Sequence, residues 1–423
     1  MPDSARGAAG ARVLVALVGG QLGVHAAMAG LRLAAPLQAL REGYSAWAVG
    51  VLLALFAIAP VLLALPAGRM ADRLGYHRPV YLAVLLTMAG GLLAVLSTVV
   101  SGALHFGLLC AAAVLVGAGA NLGLLTIQRT AGLAAADSTE RVRIFSWLGV
   151  APALANVLGP VAVGLLIDGF NFRMAYLFLL LLPLATLVSA RYVPRLLPPG
   201  AEPIAQHTNW ESRGQRASAE SRGQRASAES HRQRASAWAL LHTPGFKRLL
   251  VVNWLLSMCW DVHLFAVPVL GHERGFNAAT IGLILGSFTL SVTAVRLVIP
   301  LLAHRLSELQ VLRGAMLGTG AVFALYPLAP NPWLMGLCAL LLGLTLGSVQ
   351  PMVMSMLHHL TPDNRHGEAL ALRSMVMNLS STLMPLLFGA TGAVVGAALL
   401  FWVVGGAVGS GAWVARRLRA PGL

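Results

Sequence analysis

Long apolar runs alternate with short charged turns along almost the whole chain. A run of eighteen or more apolar residues is long enough to cross a bilayer as a helix. Twelve such spans are read, at roughly 13–36, 47–66, 80–99, 105–129, 144–167, 173–192, 247–270, 279–302, 311–328, 333–357, 370–390 and 393–414. Lipid offers no partners to backbone N–H and C=O groups, so spans of this kind must be helical. The pattern predicts an all-α integral membrane protein with twelve transmembrane helices. A six-helix bundle is expected over 1–192, a polar linker over 193–243 and a second six-helix bundle over 244–423.

Composition agrees. Of the 423 residues, 57% are hydrophobic and only 11% charged, against about 25% charged in a soluble domain. The net charge of +15 would point to nucleic acid in a soluble protein. Here the basic residues sit in the turns, where they report topology. With the N-terminus inside, Arg69, Arg73, Arg78, Arg129, Arg141, Arg143, Arg305, Arg313, Arg365, Arg373 and Arg416 fall on the cytoplasmic side with the whole linker. The outside keeps Arg41, Arg173 and Arg274. Both termini are therefore expected in the cytoplasm. Lys247 is the single lysine in an Ala-, Gly- and Leu-rich chain, a composition that fits a GC-rich bacterial genome and hence a bacterial inner membrane. Cys110, Cys259 and Cys338 each lie inside an apolar run and read as small hydrophobes rather than as disulfides or ligands. Arg6 and Arg12 before the first run, with Ala27-Met28-Ala29, imitate a signal peptide. The run continues to about Leu40, so this segment is expected to stay as span one.

The linker contains ESRGQRASA twice and ESHRQRASA once, from Glu211 to Ala237. A nine-residue period with nothing to bury reads as a flexible spacer. Its alternative is attraction to an anionic leaflet.

The two bundles repeat each other. REGYSAWAVG begins at Arg41 and ERGFNAATIG at Glu273, 232 residues later. That register pairs Gly50 with Gly282, Phe56 with Phe288, Arg73 with Arg305 and Pro36 with Pro268. A second match, offset by 225, sets Pro160 and Gly164 against Pro385 and Gly389. Two parallel six-span halves imply an axis along the membrane normal and a site between the halves near the midplane.

Twelve spans in two halves, with GRMADRLGYHRP between spans two and three, resemble the major facilitator superfamily. The family's signature loop is matched at Gly68, Asp72, Arg73, Gly75 and Arg78. Tyr76 and His77 replace its usual basic residues, and the second half carries a degenerate copy with Pro300, His304 and Arg305. The resemblance implies that this loop latches the cytoplasmic gate in the outward-facing state. Asp72 is expected to face a helix N-terminus or Arg129. The alternative is a plain positive-inside turn. Arg296, deep in span eight, is expected to snorkel to the cytoplasmic face or to join the gate. Span five carries Gly159, Pro160 and Gly164, resembling a pattern of drug and metabolite antiporters. Ordinary helix packing accounts for the same residues.

Ionisable groups inside a span are functional candidates by default. In span one, Gln21, His25, Met28 and Arg32 fall on one helix face. The repeat carries that face to Asn253, Ser257, Trp260 and Leu264 in span seven, with Asp261 beside it. Burial disfavours a carboxylate and an arginine favours it. Asp261 is therefore a candidate proton carrier with Arg32 as partner, His25 next, and a structural salt bridge is the alternative. Asn121, Asn156, Gln350 and Asn378 are further cavity candidates that interhelical hydrogen bonding would also explain. No metal-ligand spacing and no phosphate loop is present. The expected function is secondary transport of a small organic solute by alternating access, by proton-coupled efflux, without cofactor and as a monomer. Uptake by symport or uniport is the second reading and a transport-inactive sensor or scaffold the third.

Overall fold

The computed structural model describes residues 2–134, 144, 147–194, 240–243, 245–302, 307–361 and 366–416. The linker repeats, Arg141, Arg143, Arg305 and Arg365 lie outside them. Spans one to five are Pro2–Arg41, Ala46–Leu74, His77–Ser97, Gly102–Ala134 and Val150–Gly169. Span six is Phe172–Leu181 continued by Pro183–Ala190; the break falls where Pro183 withholds an N–H. Spans seven to nine are Phe246–Glu273, Ala278–Leu302 and Glu308–Leu325. Span ten is Pro332–Gly347 continued by Val349–Leu360. Spans eleven and twelve share His366–Arg416, broken at Gly396, whose φ of 80° is not helical.

Among the described residues, eleven helices are long and apolar enough to cross a membrane. The eleventh expected span, 370–390, is helical but falls outside that set. Leu85, Leu165, Leu297 and Val403 are more than half exposed, the arrangement of a bundle whose outer surface meets lipid.

The packing follows the repeat. Span one lies on span five as seven lies on eleven, and span two on four as eight lies on ten. The two halves meet along spans five and eight and along spans two and eleven. At one end of the N-terminal half, Leu17, Tyr76, Ile127, Leu148 and Val193 close a cluster. This is the basic end, which carries the predicted cytoplasmic turns. At the other end Tyr44 donates to the Gly102 carbonyl at 2.8 Å, and Tyr176 donates to Gln38 Oε1 at 2.6 Å.

Candidate functional site

A central cavity lies between the halves, and Trp260 borders each of its three lobes. The lobe toward the basic end has a volume of about 340 Å³ and is lined by Asn156, Asn253, Ser257, Asp261, Arg296, Gln350 and Arg373. The second, about 300 Å³, is lined by His25, Met28, Arg32, Asn121, Asp261 and Asn378. The third, about 140 Å³, reaches toward the opposite end between Leu33, Leu53, Pro160 and Leu285. The structure thus brings together His25, Met28 and Arg32 of span one with Asn253, Ser257, Trp260 and Asp261 of span seven. Asn121, Asn156, Gln350, Asn378 and Arg296 join them.

Gln21 is placed elsewhere. It is buried, at 3% exposure, and lines none of the three lobes. Span one is crowded at that level, where Gly19, Gly20 and Gly23 bring it against Ser189 and Thr186 of span six. Cavity-lining begins one turn further, at His25. His263 points away from the cavity, as a two-residue step from Asp261 requires. Its ring lies 4.3 Å from that of Phe288 and 5.9 Å from that of Tyr326.

Asp261 is buried and Arg32 half-buried. Their charges attract each other across the cavity, yet they form no ion pair. A through-space attraction in a low-dielectric cavity is strong enough to matter and loose enough to be exchanged for another partner. Arg296 donates from Nη2 to Gln350 Oε1 at 3.0 Å.

Of the signature loop, Gly75 takes φ 70° at the turn after span two, a conformation that favours glycine. Arg73 and Arg78 are exposed and Arg129 is half-buried. The side-chain surroundings of Gly68 and Asp72 lie outside the described residues.

The glycine and proline positions of the repeat turn out to be the seam between the halves. A Cβ on Gly50 would collide with the Pro385 carbonyl oxygen, and one on Gly282 with that of Pro160. A Cβ on Gly164 would lie 2.5 Å from the Ala278 carbonyl oxygen, and one on Gly389 3.0 Å from that of Ala46. Each contact in one half is repeated by its counterpart in the other. Gly159 instead holds span five against Ala26 and Gly30 of span one.

The seam carries a clasp. Asp168, at the end of span five, accepts from the Ala278 and Ala279 backbone N–H groups at 3.0 and 2.5 Å. Those groups open span eight. Arg41 lies 3.5 Å from the same carboxylate and places its guanidinium over the Phe172 ring, 5.3 Å from the centroid. Sequence reasoning missed Asp168, although a signal was present. A carboxylate at the C-terminal end of its own helix opposes that helix's dipole, so it is better placed serving another helix's N-terminus. Asp168→Ala is expected to remove about 1 kcal/mol, the usual worth of such a cap, and to loosen this end roughly fivefold. The check is maleimide labelling, from that side, of a cysteine placed at Leu53 in a chain whose own cysteines are replaced by alanine. Unchanged labelling would mean the clasp holds nothing.

The sequence model of the Major Facilitator Superfamily matches residues 17–269 and 249–422. The chain belongs to the major facilitator superfamily. Solved structures of this fold superpose on it at low identity. A mutant of the nucleoside transporter NupG matches at a TM-score of 0.73 and 12% identity, covering 96% of this chain and 99% of that one. The peptide transporter POT in complex with sulfate matches at 0.69 and 14%, covering 96% and 94%. A POT family transporter in complex with 5-aminolevulinic acid matches at 0.69 and 14%, covering 95% and 94%. No curated protein matches as a relative. As a major facilitator, the chain is a multi-pass membrane protein of the secondary-transport type, and its cavity lies between the two halves.

Proposed function

We propose that this chain is a proton-coupled secondary transporter of a small organic solute, working by alternating access around the central cavity. The observation that carries this is the pairing of Asp261 and Arg32 on opposite halves, charges that attract but do not touch. A proton on Asp261 removes the attraction, and the balance between the two facing states changes with it. Arg32 and Asp261 are the coupling pair and His25 is the reserve proton site. Gln350, Asn121, Asn156, Asn253, Asn378 and Trp260 supply solute contacts.

The basic end faces the cytoplasm of a bacterial inner membrane, and the protein acts as a monomer in lipid with both termini inside. On this orientation the seam at Gly50, Gly164, Gly282 and Gly389 is the closed external gate. The larger lobes open toward the cytoplasm. The signature loop, with Arg73, Arg78, Arg129 and Arg305, engages when the protein turns outward. The linker 193–243 tethers the two halves.

Export in exchange for protons is the direction that the resemblance of span five favours. Co-transport of solute and proton is the second reading, favoured by the excess of arginine over acid on the cavity wall. Reconstituted liposomes under an imposed proton gradient test the proposal with a panel of organic acids, amines and neutral solutes. Solute-dependent proton movement is expected. An inward proton gradient that accelerates solute exit indicates exchange, and one that accelerates solute uptake indicates co-transport. Solute movement with no proton movement would sink the coupling.

A further inference from the structure

We infer that the cavity takes an organic anion, an oxyanion carried on an apolar body, and that this anion travels with the proton rather than against it. The inference rests on the reading of the cavity as a transport site, names its substrate class and, of the two couplings given above, takes co-transport over exchange.

The first support is the charge on the wall. Arg32, Arg296 and Arg373 come from spans one, eight and eleven, and among the described residues Asp261 is the one acid lining the two larger lobes. The second support is unsatisfied hydrogen bonding. The Nε donors of Arg32 and Arg373 are buried without a partner, and Arg296 meets a neutral amide. A buried donor without an acceptor is costly. Both donors belong to arginines that line the cavity, where a carboxylate or phosphate oxygen would supply the acceptor that the protein does not. The planar guanidinium suits such oxyanions in a paired, two-bond geometry. Trp260, Met28, Leu256 and Leu264 provide the apolar remainder of the wall.

The coupling sign follows from competition. The Asp261 carboxylate and a bound anion both draw on Arg32. A proton taken from water by Asp261 ends that competition and leaves the guanidinium to the anion. Anion and proton therefore stabilise each other's binding, and by linkage the effect is reciprocal. His25, on the same wall, adds positive charge when protonated and acts in the same sense. Asn replacing Asp261 mimics the protonated acid.

The probe is 2-naphthoate, set against 2-naphthamide and 2-naphthylmethylamine, by equilibrium dialysis with the purified full chain in detergent. Naphthoate is expected to bind at least about tenfold more tightly than the amide, with the amine weakest. Arg373→Gln and Arg32→Gln should each weaken naphthoate about tenfold while leaving the amide unchanged. Arg373→Lys should restore part of the loss, which separates lost charge from lost folding. Arg173→Gln, at the far end of the bundle, should change nothing. Asp261→Asn should tighten naphthoate at pH 8. Equal binding of acid and amide, tighter binding of the amine, no binding of any probe, or weaker naphthoate in Asp261→Asn would overturn the inference. Proton-coupled movement of amines would overturn the anion and leave the transport reading standing. Naphthoate held tightly but never moved across a liposome membrane would do the reverse.

Discussion

Valine at both Gly50 and Gly282 is expected to hold the seam open and to reduce transport more than tenfold. Both glycines face a backbone carbonyl of the other half, those of Pro385 and Pro160. A carbonyl on a packed helix cannot swing aside as a flexible side chain can, so the helices themselves must part. Overpacking of this kind costs about 1–3 kcal/mol per site. Moving a two-state equilibrium from 1:99 to 99:1 takes about 5.5 kcal/mol. One substitution should therefore shift the population visibly, and the pair should carry it most of the way. Spin labels at Arg173 and Trp333, one in each half at the clasped end, read the separation. The double variant should show a longer distance and the single variants a mixture. Valine at Gly107 and Gly336 is the control. Both are helical glycines with nothing within 4 Å of an added Cβ, so they test helix propensity without the collision. Equal effects at the control sites, or an unchanged distance with full transport in the double variant, would show that the seam does not set the equilibrium.

Asp261→Asn is expected to abolish solute-dependent proton movement while leaving downhill solute movement in place. The amide keeps the shape of the side chain and removes its proton exchange, so Arg32 loses its charged counterpart permanently. Leaving an arginine unpaired in a membrane interior costs several kcal/mol when nothing else compensates. Here the open cavity supplies water or solute, so the fold is expected to survive. The measurement is paired, proton flux and solute flux in the same liposomes, for wild type and variant. Loss of both fluxes with normal elution of the protein would give Asp261 a role in shaping the cavity rather than a carrier's role. Retention of both would transfer the carrier role, with His25 as the next variant to make.

The two stripes on spans one and seven were legible because helical periodicity is a local property. His25, Met28 and Arg32 share a face by spacing alone, and the repeat carried that face to Asn253, Ser257 and Trp260. Gln21 obeys the same spacing and yet lines none of the three lobes. Whether a face borders space or a neighbour depends on the glycines of span one that admit span six. Asp261 was visible as an acid in an apolar run. That a gap separates it from Arg32, the partner the repeat suggested, was not, because that gap is a distance between helices from different halves.

By itself the sequence determined the membrane class, the positions of the spans, the duplication and the residue types that line the cavity. Each follows from run length, composition or a fixed periodicity, which need no knowledge of what lies opposite. Only the tertiary structure decided that Gly50 meets Pro385 while Gly282 meets Pro160, and that Asp168 serves a helix in the other half. It also gathered Arg32, Arg296, Arg373 and Asp261 around the cavity. Those are relations between segments more than a hundred residues apart, and they are set by how two repeated bundles dock. A pattern read along one chain suggests partners, as it did for Asp261 and Arg32, but the distances between them are set by the docking.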